Sequence, residues 1–394
     1  MNFIQEIYFN VLNLFIVFAL FFFNIYIVFN YIKKLKLIKE GQHNFIWLIC
    51  LEHFVFSFLF YLLSYIDTSD AIMYYEHSKS ANNWFDLFSI GTSFIKFIIY
   101  PFAKIGLSYF SIHMIFSTFG VLGFYKLYML LLVELKNHSK SLDILCLFFF
   151  LLPTFHFYTS GIGKDALVFY LLVIVFVYIK KYNKLHIKCF MPIVFIALIR
   201  PHIAAVIIIS YLLVLFFSNQ IRLKYKFGIV FLAAVLFFLG KPILEEKINI
   251  DLSSFASIEA RLNSAQSYGL RTDNGSSSID ATNFGVVFKM FATAFLPLIW
   301  KADSVLKYIV SVENFYLVIL LLLFLLKQGK IKFMKQLDVY IYVLIVYSFV
   351  IWFVFSQALY NLGLSTRQKY MFIPFLYFFI ILFLSKKSKN VFKQ

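Results

Sequence analysis

The sequence predicts an all-α, polytopic integral membrane protein with about 11 transmembrane helices (range about 10–12) and one or two re-entrant or interfacial helices. Two observations predict this class. Hydrophobic residues make up 62% of the 394-residue chain and charged residues only 14%, with a mean hydropathy of +0.85, whereas soluble proteins are about 45–50% apolar and about 25% charged. Apolar runs of spanning length also recur along the chain, separated by short basic or acidic links.

Two long apolar runs open the chain, at residues 8–30 and 44–66. Each reaches the length of about 20 residues that a spanning helix needs. Residues 87–104 are shorter and half-apolar, with Gly91 and Pro101 inside, so we expect an interfacial or re-entrant helix. The remaining predicted spans are residues 107–132, 144–158, 166–178, 190–199, 203–217, 227–239, 315–326, 339–360 and 370–384, and residues 284–300 are predicted to be re-entrant or tilted.

The links between the spans alternate in charge, which predicts an orientation. Every second link, the C-terminal tail included, is rich in Lys and Arg, and the links between them carry most of the carboxylates. Cytoplasmic links are the basic ones, so the N-terminus is expected outside and the C-terminus in the cytoplasm. This distribution also explains the net charge of +17 without a nucleic-acid partner. We expect one polytopic domain over residues 1–394, with residues 241–283 as an external insert.

Two short polar links interrupt apolar runs and are the first candidates for function. The first polar link is Ser160–Asp165 (SGIGKD), and the second is Arg200–His202 (RPH). Gly and Pro beside ionisable residues indicate broken helices, whose exposed backbone groups are tolerated where they line a cavity. We expect the flanking spans to form hairpins whose polar tips converge. The alternative is a pair of ordinary external turns, with Lys164 and Arg200 facing water.

Arginine is concentrated on the predicted outer face. Four of the five arginines fall in links predicted to be external, and only Arg222 falls in a cytoplasmic link. The planar guanidinium can grip a phosphate through two hydrogen bonds, so the pattern favours an anionic ligand at the outer leaflet; scattered loop charges are the alternative. The external arginines are Arg200, Arg261, Arg271 and Arg367.

Carboxylates and a histidine at the same face could supply acid–base chemistry. Asp67 and Asp70 follow the second span and precede Tyr74, and either carboxylate could act as a general base or coordinate a divalent cation. A helix cap is the alternative for both. His202 could shuttle a proton or make a structural hydrogen bond. The chain shows no phosphate-binding glycine loop, no His/Cys cluster with metal-ligand spacing and no nucleophile elbow, which disfavours an ATP-driven pump.

Short motifs give the chain a resemblance to the polymerases that assemble bacterial surface polysaccharides, such as O-antigen, capsule or exopolysaccharide, and to integral-membrane GT-C glycosyltransferases. These motifs are Asp70-x-x-x-Tyr74, Ser160-Gly161-x-x-Lys164-Asp165, Leu198-Ile199-Arg200-Pro201-His202 and Ser365-Thr366-Arg367-x-x-x-Met371-Phe372-Ile373-Pro374. The layout is similar over nearly the whole chain. One feature departs from the family pattern: GT-C enzymes usually carry the acid after the first span, whereas Asp70 follows the second.

The resemblance implies a GT-C-like fold and a glycosyltransferase at the outer face of the bacterial cytoplasmic (inner) membrane. Such an enzyme would join oligosaccharide repeat units carried on undecaprenyl-type polyprenyl pyrophosphate. Arg200, Arg367 and Lys164 would hold the pyrophosphate. Asp70, or failing it Asp165 or His202, would deprotonate the acceptor hydroxyl. The residues expected to contact substrate around them are Arg367, Arg261, Arg271, Asp67 and Tyr74.

Two other functions remain open. A GT-C transferase could add a single sugar from a polyprenyl-phosphate-sugar donor, and a transporter or flippase could move the lipid-linked oligosaccharide. A flippase is expected to show internal duplication and a charged path through both leaflets, and the sequence shows no repeat. The expected partners are a polyprenyl-linked oligosaccharide, the lipid bilayer and, less specifically, a chain-length regulator. No cofactor is expected, with a divalent cation left open.

Overall fold

The computed structural model describes residues 11–34, 40–66, 69–138, 148–217, 226–228, 254, 278–281, 283–357 and 361–385. Within these residues the regular structure is helical, and the single β-bridge joins Ser278 to Asn361. The all-α prediction is confirmed for this part of the chain.

We number the α-helices of the described residues α1 to α15 in chain order. They are α1 Val11–Lys34, α2 Glu40–Ile66, α3 Asp70–Ser80, α4 Thr92–Lys104, α5 Tyr109–His138, α6 Pro153–Tyr158, α7 Lys164–Tyr182, α8 Phe190–Ile199, α9 Pro201–Phe217, α10 Val286–Phe295, α11 Val305–Leu326, α12 Lys330–Met334, α13 Val339–Gln357, α14 Leu362–Gln368 and α15 Ile373–Leu384.

Five of these helices, α1, α2, α5, α11 and α13, are long and apolar enough to cross a membrane. A sixth span results if α14 and α15, which meet at an angle of 58°, are taken together. The 19-residue α7 falls outside this group because Lys164 and Asp165 begin it and Lys180 and Lys181 lie in its last turn. The helices therefore support an integral membrane protein, while the eleven spans and the GT-C-like fold stay predictions.

Contacts divide the chain into two compact units, whereas the sequence predicted one domain; whether the two units fold as one domain stays a prediction. Unit 1 comprises Met1–Ala205, Ile319–Gln336 and Tyr377–Gln394, and unit 2 comprises Val206–Val318 and Leu337–Leu376.

Helix α5 is the centre of unit 1. It packs against α1, α2 and α7, and 78% of its apolar window is buried, against 17% for the window of α1. Helices that are apolar all round are either enclosed by other helices or face lipid. Here α5 is enclosed, whereas α1 leaves Phe15, Phe22 and Tyr26 on its surface, as a lipid-facing helix does.

Several predicted elements differ from the observed ones. The acidic segment after the second span is a helix, α3, and the predicted turn at residues 361–369 is the helix α14 followed by a 3₁₀ turn. The predicted span at residues 144–158 is not one helix in its described part: a 3₁₀ turn at Phe148–Leu151 precedes the six-residue α6. Pro153 explains this break, because proline lacks an N–H and is tolerated only in the first turn of a helix.

In unit 2, α10 packs against α13 and α14. Side chains hold these helices together by donating hydrogen bonds to backbone carbonyls: Trp352 Nε1 to Met290 at 2.7 Å, and Ser365 Oγ to Thr293 at 2.8 Å. Asn361 caps α14, since its Oδ1 accepts a hydrogen bond from the Leu364 N–H at 2.9 Å. This cap explains why a helix begins where the sequence predicted a turn.

Candidate functional site

The first polar link connects α6 to α7 and is buried rather than exposed to water. Ser160 is fully buried and its hydroxyl donates to the Phe157 carbonyl at 2.8 Å. A Cβ on Gly161 would lie 2.5 Å from the Phe60 ring, so glycine permits this close approach. Helix α7 then begins at Lys164, with Asp165 in its first turn, where a carboxylate interacts favourably with the positive end of the helix dipole.

The second polar link breaks the chain between α8 and α9. Arg200 has φ −144° and ψ 83°, which ends α8. Its N–H still donates to the Ile196 carbonyl at 2.6 Å, and its own carbonyl accepts from Ile203 at 3.0 Å. Pro201 then begins α9, a position where its missing N–H costs no hydrogen bond. The backbone therefore stays hydrogen-bonded on both sides of Arg200.

An ion pair joins the two polar links. Arg200 Nη2 lies 2.5 Å from Asp165 Oδ1, and the two side chains are only 11% and 4% exposed. The links thus converge, as expected, and the alternative in which Arg200 faces water as an ordinary turn residue is wrong. Asp165 bonds one of the two terminal guanidinium nitrogens. Within the described residues the buried Nε of Arg200 has no hydrogen-bond partner.

Lys164 and His202 flank the ion pair and complete the cluster, which we call the Arg200 cluster (Lys164, Asp165, Arg200 and His202). His202 keeps an exposed face, yet partial desolvation of its ring, followed by the positive charges of Arg200 and Lys164, lowers its pKa to about 4. The imidazole is therefore neutral near pH 7 and can accept a proton or a hydrogen bond.

The other predicted site residues are placed as follows. Asp70 is exposed and begins α3, while Tyr74, one turn later, is buried. Asp70 thus occupies a position where a carboxylate stabilises a helix N-terminus, and its role as a base stays a prediction. Arg367 is half-buried near the end of α14 in unit 2. Asp67, Arg261 and Arg271 lie outside the described residues.

Unit 2 contains a buried polar cluster that was not predicted from the sequence. Lys369 Nζ donates to Asn314 Oδ1 at 2.6 Å, and the Tyr370 hydroxyl donates to Glu313 Oε2 at 3.0 Å. Lys369 and Asn314 are fully buried, and Glu313 is 3% exposed. The available signal was the pair Glu313–Asn314 directly before the long apolar run of α11, because an ionisable residue within a span is costly and points to function.

The described residues contain no group of three or more His, Cys, Asp or Glu that could hold a metal ion. The Arg200 cluster contains two cationic side chains, one carboxylate paired with Arg200, and one neutral imidazole. Two cations beside each other suit a ligand with more than one negative charge. A neutral imidazole beside them suits transfer of a single proton.

The class is that of a helical membrane protein. Several described helices are long and apolar enough to span a membrane, and a buried ion pair joins the link between α6 and α7 to the link between α8 and α9. No protein-family model, no curated protein and no solved structure matches the chain.

Proposed function

We propose that the protein is a membrane glycosyltransferase of the polysaccharide-polymerase type, whose Arg200 cluster holds the pyrophosphate of a polyprenyl-linked oligosaccharide. The observation that supports it most is the ion pair between Arg200 and Asp165, which joins two polar links that the sequence separates. A pyrophosphate carries several negative charges, and charge builds up on it as the sugar leaves. Fixed cations at that position can lower the barrier by several kcal/mol.

In this proposal Asp165 positions Arg200 rather than acting on the sugar. Its carboxylate fixes the guanidinium through Nη2, and the buried Nε makes no hydrogen bond within the described residues. Lys164, the preceding residue, adds a second cation. Asp165, one of the bases considered from the sequence, is therefore assigned a positioning role.

His202 is the proposed proton acceptor. The acceptor hydroxyl forms a bond from its oxygen to C1 of the donor sugar, the bond from C1 to the pyrophosphate oxygen breaks, and the hydroxyl proton passes to the neutral imidazole. The lowered pKa of His202 keeps the ring unprotonated at neutral pH, as a base must be. Asp70 is the alternative base, and the contacts of Arg367, Arg261, Arg271, Asp67 and Tyr74 with substrate stay predictions from the sequence. These assignments extend the resemblance to surface-polysaccharide polymerases of the bacterial inner membrane.

The test uses purified full-length protein in proteoliposomes with a polyprenyl-pyrophosphate-linked oligosaccharide, and the product is glycan of increased length. Arg200→Lys keeps the charge but loses the planar fork, so the activity per folded molecule should fall at least about tenfold, equivalent to ~1.4 kcal/mol in the barrier. His202→Gln should lower kcat with little effect on KM.

Lys180→Met is the matched control. Lys180 pairs with the buried Glu134, but it lies 16 residues further along α7, about 24 Å from Lys164. This variant should lose stability without losing activity per folded molecule. Equal losses of specific activity in Arg200→Lys and Lys180→Met would contradict the proposal, as would glycan of normal length from Arg200→Ala.

A GT-C transferase that adds one sugar would use the same cluster, and a product extended by a single sugar in this assay would identify it.

A transporter or flippase is the second candidate, favoured by one observation. Glu134, Glu313 and Lys369 are buried within or beside apolar helices, and buried charge of this kind is expected along a transport path. Transfer of fluorescent lipid-linked oligosaccharide across the liposome bilayer without any glycan extension would support transport.

A further inference from the structure

Two histidines from distant parts of the sequence meet inside unit 1. His53 in α2 and His156 in α6 are fully buried, and their Nδ1 atoms lie 3.1 Å apart. His53 is the ninth residue of the apolar span Phe45–Ile66, about 12 Å along the helix from its start. Ionisable residues at such depth are rare and mark functional positions. We call His53 and His156 the histidine pair.

The hydrogen bonds of the histidine pair determine where its protons lie. His156 Nε2 is 2.8 Å from the Phe150 carbonyl oxygen, which can only accept, so this nitrogen carries a proton. In the neutral ring Nδ1 of His156 is then the acceptor, and Nδ1 of His53 must donate to it. The remaining nitrogen, Nε2 of His53, carries no proton in this state. It is buried and makes no hydrogen bond within the described residues, but the Ser117 backbone is close enough to accept one from the protonated His53 ring.

Titratable groups face the histidine pair from two helices. Glu52 on α2 places Oε2 3.8 Å from His156 Nε2, and its side chain is 18% exposed, so it connects the buried pair with the outside. His113 on α5 is close enough to His53 for their charges to interact, but its Nε2 lies 3.0 Å from the Ser57 carbonyl and is already used. Glu52 is therefore the group that can balance a positive charge on the pair.

The histidine pair lies in tightly packed surroundings. Gly120 on α5 lies beside the unprotonated nitrogen of His53, and a Cβ there would come within 2.7 Å of Nε2. Phe124 stacks on the face of the His156 ring with centroids 4.0 Å apart. In such low-dielectric surroundings a hydrogen bond is electrostatically stronger than in water, so the contact between the two Nδ1 atoms is a strong one along which a proton can move.

We propose that the histidine pair is an intramembrane proton-transfer site that takes one proton at Nε2 of His53 and delivers one from Nε2 of His156 to Glu52. On arrival of the proton, His53 is an imidazolium; its Nδ1 proton then moves to Nδ1 of His156. His156 in turn releases its Nε2 proton to the Glu52 carboxylate. One proton enters and one leaves, and each ring is neutral again in the opposite tautomer. This inference is independent of the proposed glycosyl transfer.

The test is solid-state NMR of the full-length protein, ¹⁵N-labelled at histidine, in lipid bilayers over a range of pH. At high pH we expect one histidine protonated at Nδ1 (His53) and its partner protonated at Nε2 (His156). A through-space correlation between the two Nδ1 atoms identifies them in the unmodified protein, so that no variant has to fold for the assignment. As the pH falls, both rings should change together as the pair takes up one proton.

Glu52→Gln and His77→Gln test the role of the counter-ion. Glu52→Gln should lower the midpoint of proton uptake by at least about one pH unit, because it removes the opposite charge that favours the imidazolium. His77 is exposed on α3, and His77→Gln should leave the midpoint unchanged. The proposal fails if both rings keep their neutral tautomers throughout the pH range in which the protein is folded. It fails equally if Glu52→Gln leaves the midpoint where it was, since the pair is then a structural hydrogen bond.

Discussion

At the scale of single residues, the structure shows Arg200 as a buried member of an ion pair and not as an exposed turn residue. The sequence predicts an external link at this position and leaves open an ordinary turn in which Arg200 faces water. Its side chain is instead 11% exposed and paired with Asp165, which is 4% exposed. A charge left alone in such surroundings is strongly unfavourable, so the residue contributes to folding as well as to any ligand contact. Effects on activity must therefore be measured per folded molecule.

The ion pair gives the first residue-scale prediction. Arg200→Met and Asp165→Asn should each lower the free energy of unfolding by about 3–5 kcal/mol, because each leaves one buried charge without its partner. The double variant should recover most of this loss, since neither charge then remains. Thermal unfolding in detergent measures all three. Asp303→Asn removes an exposed ion pair with Lys307 and should have no measurable effect. Additive losses in the double variant would show that the pair does not couple.

His202 gives a prediction about pH. Its pKa in the folded protein, about 4, lies below the unfolded value of about 6.5, so the unfolded state binds more protons between these values. The stability that depends on neutral His202 is therefore fully present above about pH 6.5 and is lost as the pH falls towards 4. His202→Gln should show a smaller loss over this window than the wild-type protein. Equal slopes of stability against pH would contradict the assigned protonation.

At the scale of elements, the link between α6 and α7 fixes where α7 begins as well as connecting the two helices. The link between α6 and α7 is held close to α5, where a Cβ on Gly120 would lie 2.2 Å from the Thr159 carbonyl oxygen. The absence of a side chain at this one position lets the link pack against the central helix. The packing in turn fixes the start of α7 and hence the position of Asp165.

Gly120→Ala should therefore destabilise the protein by about 1–3 kcal/mol, because a backbone carbonyl cannot move aside as a side-chain end can. Gly285 is the control: a Cβ there would meet nothing within 4 Å, so Gly285→Ala should be tolerated. Thermal unfolding of the two variants gives the comparison. Similar stabilities for both would mean that the link can shift away from α5 at little cost.

At the scale of the whole molecule, the orientation in the membrane is the prediction on which the assignment of an outer-face enzyme depends. Alternating basic links place residues 266–278 outside and the C-terminal tail in the cytoplasm. In a cysteine-free background, Ser276→Cys in intact spheroplasts should react with an impermeant thiol reagent, and Ser388→Cys should react only after the membrane is opened. The reverse pattern would invert the orientation and move the Arg200 cluster to the cytoplasmic face.

The sequence by itself determined the class of this protein and the approximate position of most of its described helices. Apolar composition and run length are local properties, and a segment of about 20 apolar residues is a helix in a bilayer whatever surrounds it. The two polar links were also visible as Gly, Pro and charge inside apolar runs. Where local signals were weak or competed, as with the cap at Asn361 and the break at Pro153, the predicted bounds were wrong.

Only the tertiary structure decided which polar groups meet. Arg200 and Asp165 are 35 residues apart, and His53 and His156 are 103 apart; helical periodicity carries no information over such distances. The partner of each group depends on which helix faces α5 and in what register. Burial then decides the chemistry, since the same arginine is a solvated turn residue in water and a fixed, partly unsatisfied cation inside the bundle.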